Sequence, residues 1–272
     1  MFMQITTRYT GALRYVQSRW PNYVIGYCGG LLLVVVVVFF SATRDWYSLI
    51  LFGLITMLVM TYFLVMSLWS AHQIYDKQNI SQCLVKLGGL QPENTLIHID
   101  LGRRQLAIDL CRHMTTGRVI VIGVYNPQMT PGRELARARR QAKRPDPDPR
   151  LSWRDGKISL LPLADGSVPA VTLSEVASEF WQLGDRQQLF KEVFRVLRPG
   201  GCILLAERLR TPINLLVNGP AGLRLSPIAY WENLLLEAGF KIKKTVSLND
   251  LICCLRADKP APIIEGQLPL DF

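Results

Sequence analysis

FWQLGDRQQLFKEVFRVLRPGGCILLAE, residues 180–207, is the stretch that decides the fold of this chain. Leu189, Val193, Phe194, Val196 and Leu197 recur at helical spacing and predict a helix over 187–197. Arg198-Pro199-Gly200-Gly201 stops it, because proline cannot continue a helix and glycine turns the chain without a Cβ clash. The unbroken apolar run 202–206 then predicts a strand buried on both faces. A helix that turns tightly into such a strand is the building unit of an α/β sheet.

The same alternation continues on both sides of this unit. Apolar runs predict strands at 95–100, 118–125, 157–161, 168–174, 241–246 and 251–256. Helical spacing predicts helices at 71–90, 103–114, 132–143 and 228–237. Strands alternating with helices predict a parallel sheet covered on both faces. Residues 258–272, with Pro260, Pro262 and Pro269, read as an extended tail.

The first quarter of the chain is different in kind. Residues 22–40 and 48–70 carry no charge, and about 20 apolar residues suffice for a helix to cross the hydrocarbon core. The β-branched run 34–38 favours a strand in water, but in lipid only a helix satisfies its own backbone. A second apolar segment so soon after the first, with no small-residue cleavage site, argues against a signal peptide. The expected organisation is a segment at 1–21, a transmembrane helical hairpin at 22–70, a juxtamembrane helix and linker at 71–94, a sheet domain at 95–257 and the tail. Arg8, Arg14 and Arg19 precede the first span, Lys77 and Lys86 follow the second, and the connection holds only Arg44 beside Asp45. This bias puts the sheet domain on the cytoplasmic side, with Trp20, Tyr23, Trp46, Tyr47 and Trp69 at the interfaces.

Six cysteines show no Cys-x-x-Cys spacing and three histidines fall in no metal pattern, so a disulfide framework or metal site is not expected. The formal charge is +10, densest in RELARARRQAKRPDPDPR, residues 133–150. That run reads as a solvated helix face followed by a loop. Beside a membrane anchor it also reads as a surface for anionic lipid headgroups. Nucleic acid is not an expected partner, since no recognisable motif accompanies the charge.

Four pieces carry a resemblance: LVKLGGLQPENTLIHIDLG (84–102), LPLADGSVPAV (161–171), LFKEVFRVLRPGGCILLAE (189–207) and SPIAYWENLLLEAGFKIKK (226–244). In this order they resemble class I S-adenosylmethionine-dependent methyltransferases over about 82–256, especially the ubiquinone- and menaquinone-methyltransferase branch. The resemblance implies a Rossmann-like seven-stranded sheet with one antiparallel strand and a cofactor site at the carboxyl ends of the strands. It implies S-adenosylmethionine as cofactor, with Asp100, Gly102 and Tyr125 at the positions that contact it.

The chain departs from the family at those contacts. The glycine-rich loop keeps Asp100 and Gly102, but Arg104 stands at the second glycine and Leu106 near the third. A cation there is expected to crowd the cofactor and repel its sulfonium. Tyr125 replaces the acidic residue that ends the second strand, and Lys157 takes the place of an aspartate that meets the adenine amine. Lysine offers donors only.

Methyl transfer needs alignment above all, and a base only where the acceptor must lose a proton. Glu175 and Glu179, after the fourth strand, are the candidate catalytic groups if desolvation raises their pKa. They also read as solvent-facing carboxylates near a helix start, and Glu207 has the same ambiguity. Asp165 reads as a turn residue and His98 as a packed core histidine. The apolar, Gly/Pro-punctuated stretch 211–227 suits a lid over a lipophilic acceptor, or a loop packed on the sheet edge. Two functions are therefore expected to compete. One is a membrane-anchored methyltransferase acting on a lipophilic small molecule. The other is a catalytically silent domain serving as a binding or assembly factor for a membrane protein complex.

Overall fold

Strand β1 (Thr95–Asp100) is buried from Leu96 onward, as an apolar run in the middle of a sheet must be. In the computed structural model, which describes residues 10–44, 48–77, 80–142, 145 and 147–261, β1 pairs in parallel with β2 (Arg118–Gly123) and β4 (Val168–Ser174). The edge strand β3 (Leu151–Asp155) lies on β2, and β5 (Leu197–Glu207) lies on β4. Strand β7 (Ile252–Asp258) runs antiparallel between β5 and β6 (Lys241–Leu248). The order β3-β2-β1-β4-β5-β7-β6 is the Rossmann-like seven-stranded sheet expected, with its one antiparallel strand.

Alternate residues of the strands feed two apolar layers. Ile97, Ile99, Val171, Leu173, Ile203 and Leu205 face α6 (Leu183–Val196) and α8 (Ile228–Glu237). Leu96, Val119, Val121, Leu204 and Ala206 face α3 (Ile80–Gly88) and α4 (Gln105–Arg112). The deciding stretch folds nearly as read. Helix α6 ends at Val196, and the Pro-Gly-Gly lies within β5, where the register against β4 shifts between Val168 and Ala170. Gly200 has φ +75°, and a Cβ on Gly201 would stand 2.9 Å from two carbonyl oxygens.

The third strand lies earlier than expected. It occupies Leu151–Asp155, whereas Lys157 and Leu160 make only an isolated bridge. An edge strand with one partner need not be apolar, so its sequence LSWRD carried little signal. Ile158 and Leu161 reach the core from a turn instead.

Two helices are long and apolar enough to cross a membrane, over Gly11–Arg44 and Ile50–Lys77. Helix α1 (Thr10–Arg44) begins well before the uncharged segment, and α2 (Ser48–His72) packs beside it as a hairpin. Tyr27 donates to the Met60 carbonyl at 2.7 Å, and Tyr23 bonds Ser67. After α2 a π-helical turn, Gln73–Lys77, brings Asp76 onto the start of α1, where its carboxylate accepts from Gly11 N at 2.9 Å and Ala12 N at 3.3 Å. These are free amides of a helix N-terminus, which favours negative charge. Most of the C-terminal tail, 262–272, and residues 45–47 of the connection between the spans lie outside the described residues.

Pro21 sits inside α1 and has no N–H to give to the carbonyl of Gln17. That carbonyl accepts instead from Gln141 Nε2 at 3.3 Å, and the next, Ser18 O, accepts from Arg137 Nε at 2.6 Å. Both donors belong to α5 (Arg133–Gln141), the basic helix. Arg19 and Asn22 complete the joint through Glu134, at 2.7 and 2.6 Å. The basic run is thus only partly a solvated face, since Arg137 and Arg139 turn inward.

Candidate functional site

The carboxyl ends of β1, β2 and β3 open onto a cavity of about 460 Å³ lined by Asp100, Gly102, Arg104, Tyr125, Arg139 and Asp155, among others. Asp100 is buried, and its two oxygens accept from Arg103 N at 3.2 Å and Arg104 N at 3.1 Å. The carboxylate therefore builds the turn that follows β1, with Gly102 at φ +92° and Arg104 at φ +64°. Tyr125 lies two residues past the end of β2, which is shorter than the 118–125 expected.

Arg139 is the cation that covers this corner. Its guanidinium lies 3.6 Å from the Tyr125 ring centroid and donates to Leu101 O at 2.9 Å. A Cβ on Gly102 would stand 3.1 Å from its side chain. Arg104, the residue expected to crowd the cofactor, turns to the cavity wall instead, donating to Ala142 O at 3.2 Å beside the Trp153 ring. The role of Lys157 is also corrected. It is exposed and not part of the lining, whereas Asp155 at the tip of β3 supplies a carboxylate acceptor there. The residues present fit a nucleoside: Asp155 could accept from an amine and Tyr125 could bond a ribose hydroxyl, once Arg139 left the face of Tyr125.

A second cavity, of about 430 Å³, lies over the ends of β1 and β4, and the segment of α1 before Pro21 forms part of its wall. Glu175 and Glu179 are both found here, on the loop that follows β4, and neither is the solvent-facing carboxylate that the sequence allowed. Glu175, itself at φ +49°, is gripped from three sides. Arg103 and Arg208 reach it at 3.0 and 2.8 Å, and Tyr75 donates at 2.8 Å. Arg103 also pairs with Glu179. Burial pushes the Glu175 carboxyl up, but Arg208, Arg103 and the Tyr75 hydrogen bond outweigh it and hold it below its ordinary value. The condition set for a base, a pKa raised by desolvation, is thus not met at Glu175.

It is met at Glu207, the last residue of β5. Burial, reinforced by the charge of Glu175, raises its carboxyl to about 7. One oxygen accepts from Ala177 N and Ser178 N at 2.9 and 3.3 Å, and the other is buried with no partner among the described residues. His98 is buried against Thr172 at 3.0 Å, the packed core histidine expected, with its pKa lowered by burial. Asp165 is a surface turn residue paired with Arg195. No cluster of metal-ligating side chains occurs among the described residues.

Sequence reasoning missed Arg139, Arg208 and Tyr75. For Arg139 a signal existed: it lies four residues after Leu135, which is buried, so both occupy the inward face of α5. Tyr75 and Arg208 had none, because only the tertiary fold brings them to Glu175.

Comparison with known proteins agrees with this geometry. Residues 99–205 match the family model of a methyltransferase domain. A protein of Mycolicibacterium smegmatis named as an S-adenosylmethionine-dependent methyltransferase is 35% identical over 108 residues, 37% of this chain and 39% of its own. The ubiquinone/menaquinone biosynthesis C-methyltransferase UbiE of Paracoccus denitrificans is 29% identical over 121 residues, 44% of this chain and 45% of its own. The chain thus spans less than half the length of these curated relatives. Among solved structures, the 4+2 cyclase SpnF superposes with TM-score 0.51 at 18% identity, covering 72% of this chain and 83% of its own. A Haloferax volcanii methyltransferase–activator complex gives 0.51 at 16%, covering 71% and 94%. At such identities the likeness is one of fold.

Proposed function

We propose that this chain, whose residues 99–205 match the family model of a methyltransferase domain, is an S-adenosylmethionine-dependent methyltransferase that takes a lipophilic small molecule from a membrane. One observation carries the membrane half of this reading. The helix that walls the second cavity, through Gly11, Tyr15, Ser18 and Arg19, continues without a break into the first apolar span. A molecule dissolved in the bilayer has a path along α1 to the ends of β1 and β4. The basic residues flanking the spans favour the cytoplasmic side for the domain.

S-adenosylmethionine, when bound, supplies a methyl group on a positively charged sulfur. Asp155 and Tyr125 would hold its base and ribose, on the turn that Asp100 and Gly102 build. Direct displacement needs little from the protein beyond alignment. Glu175 serves as fixed negative charge facing a cationic sulfur, because its guanidinium partners keep it ionised. Glu179, paired with Arg103, is the second carboxylate that lines the acceptor cavity.

The test is calorimetric titration of the full chain in phosphatidylcholine nanodiscs with S-adenosylmethionine. Saturable binding that Tyr125→Ala and Asp155→Ala each weaken about tenfold is expected, the worth of one good hydrogen bond. A folded protein that takes up no ligand at millimolar concentration overturns the enzyme reading. It leaves the binding or assembly factor, for which crosslinking in native membranes should return a reproducible protein partner. Transfer of a radiolabelled methyl group into the organic phase of a membrane lipid extract checks the acceptor class.

A further inference from the structure

The second cavity holds an imbalance of charge. Six arginines line it. Arg19, Arg103 and Arg208 each have a carboxylate partner. Arg14, Arg186 and Arg224 have none within ion-pair distance among the described residues. Arg14 donates to the neutral Gln105 side chain at 2.5 Å. Arg186 donates to Phe180 O and to Tyr230 at 2.6–3.0 Å, both neutral. Arg224 is exposed at the rim, at the end of the 3-10 turn Gly219–Arg224. The same lining holds five carboxylates, Asp100, Asp109, Glu134, Glu175 and Glu179, so the cavity is positive by one charge. The guanidiniums without an ion-pair partner are where an anion would sit, and planar guanidinium is the side chain best matched to phosphate oxygens.

The rim beside Arg224 is apolar and leans on the second span. The turn follows α7 (Pro212–Asn218), and a Cβ on Gly219 would stand 2.9 Å from the ring of Phe63 in α2. Leu216 and Leu223 on this segment are 60% and 61% exposed. Exposed leucines next to a span, with a guanidinium beside them, provide for a greasy chain outside the cavity and a charged head inside it.

We infer that the second cavity binds the phosphate-bearing head of an anionic amphiphile, through Arg14, Arg186 and Arg224, while its acyl or prenyl chain stays in the bilayer along Leu216 and Leu223. The inference rests on the reading of this cavity as the acceptor site and narrows that acceptor from lipophilic to lipophilic and anionic. The free phosphate ion shares the head's chemistry but not the apolar contact.

The full chain in phosphatidylcholine nanodiscs is titrated with dihexanoyl phosphatidic acid, dihexanoyl phosphatidylcholine and inorganic phosphate. Saturable binding of phosphatidic acid is expected, with the other two at least about tenfold weaker, since each loses either the net charge or the chain. Arg186→Gln and Arg224→Gln should each weaken phosphatidic acid about tenfold, and Arg140→Gln, exposed on α5 and outside the cavity, should leave it unchanged. Because Arg224 is exposed, its variant keeps the test open if Arg186→Gln fails to fold. Equal affinity for phosphatidylcholine, equal affinity for inorganic phosphate, or indifference to Arg224→Gln overturns the inference. Titrating the same sample with S-adenosylmethionine separates the two claims. Cofactor binding without phosphatidic acid binding sinks this inference alone; the reverse sinks the methyltransferase reading alone.

Discussion

The two halves of the site are closed in different ways. After β1 and β2, one guanidinium covers Gly102 and Tyr125, held by a single hydrogen bond and a ring face. After β4 and β5, Glu175 is fixed by two guanidiniums and a phenol, and Arg103 ties in Glu179 as well. Releasing a part-exposed cation–π contact and one hydrogen bond takes about 1–2 kcal/mol. Breaking a buried ion network takes about 3–5 kcal/mol. The first is a corner that one side chain can vacate, whereas the second is built to stay as it is.

The sharpest way to break this contrast is Glu175→Ala. It strands the buried Arg208 and leaves Arg103 with Glu179 alone, and should lower stability by about 3–5 kcal/mol. Thermal unfolding in detergent measures it, and an unchanged Tm would show that the network is ornamental. Glu207 supplies the next effect. Its carboxyl titrates near 4.5 in the unfolded chain and at about 7 in the folded one. Between those values the folded protein binds the extra proton, so stability falls as pH rises and levels off above 7. The loss is about 3 kcal/mol, and Glu207→Gln should remove that part of the slope. A wild-type Tm that climbs relative to the variant from pH 5 to 7.5 contradicts the assignment.

Smaller changes sharpen the nucleoside side. Arg139→Ala vacates the Tyr125 face and should tighten S-adenosylmethionine by about tenfold, the equivalent of 1.4 kcal/mol. Weaker binding in the calorimeter would mean that Arg139 is part of the grip and not a cover. Asp76→Ala removes the cap of α1, for about 1 kcal/mol of stability, without moving either half of the site.

What was readable from sequence follows the physics of burial. Central strands advertise themselves because both faces are apolar, and 202–206 with its Pro-Gly-Gly lead-in was enough to orient the sheet. The edge strand β3 has no such duty, so LSWRD carries no strand signal, the apolar run 157–161 reads as the third strand instead, and nothing local marks Asp155 as lining the cavity. Asp100, Gly102 and Tyr125 are legible because the family resemblance fixes their places along the chain, and Glu175 and Glu179 because they follow the fourth strand. Their partners come from elsewhere: Tyr75 lies 100 residues from Glu175, and Arg139 lies 38 from Leu101. Nothing local records such meetings. The start of α1 was missed because Arg14 and Arg19 made it too polar to be read as part of a span, although a helix that leaves the bilayer has no reason to stop at its surface.

Pro21 gives this architecture a mechanical aspect. Gln17 O, the carbonyl it exposes, and the neighbouring Ser18 O are grasped by α5, and on that helix Arg137 and Arg139 stand two residues apart, one gripping α1 and the other resting on Tyr125. A helix tilts when its apolar length exceeds the bilayer thickness. If α1 spans a bilayer, such tilt would pull through the joint on α5, the helix that carries Arg139 over Tyr125. Cofactor affinity should therefore differ between nanodiscs of short and long acyl chains, and Arg137→Ala should make it indifferent to them.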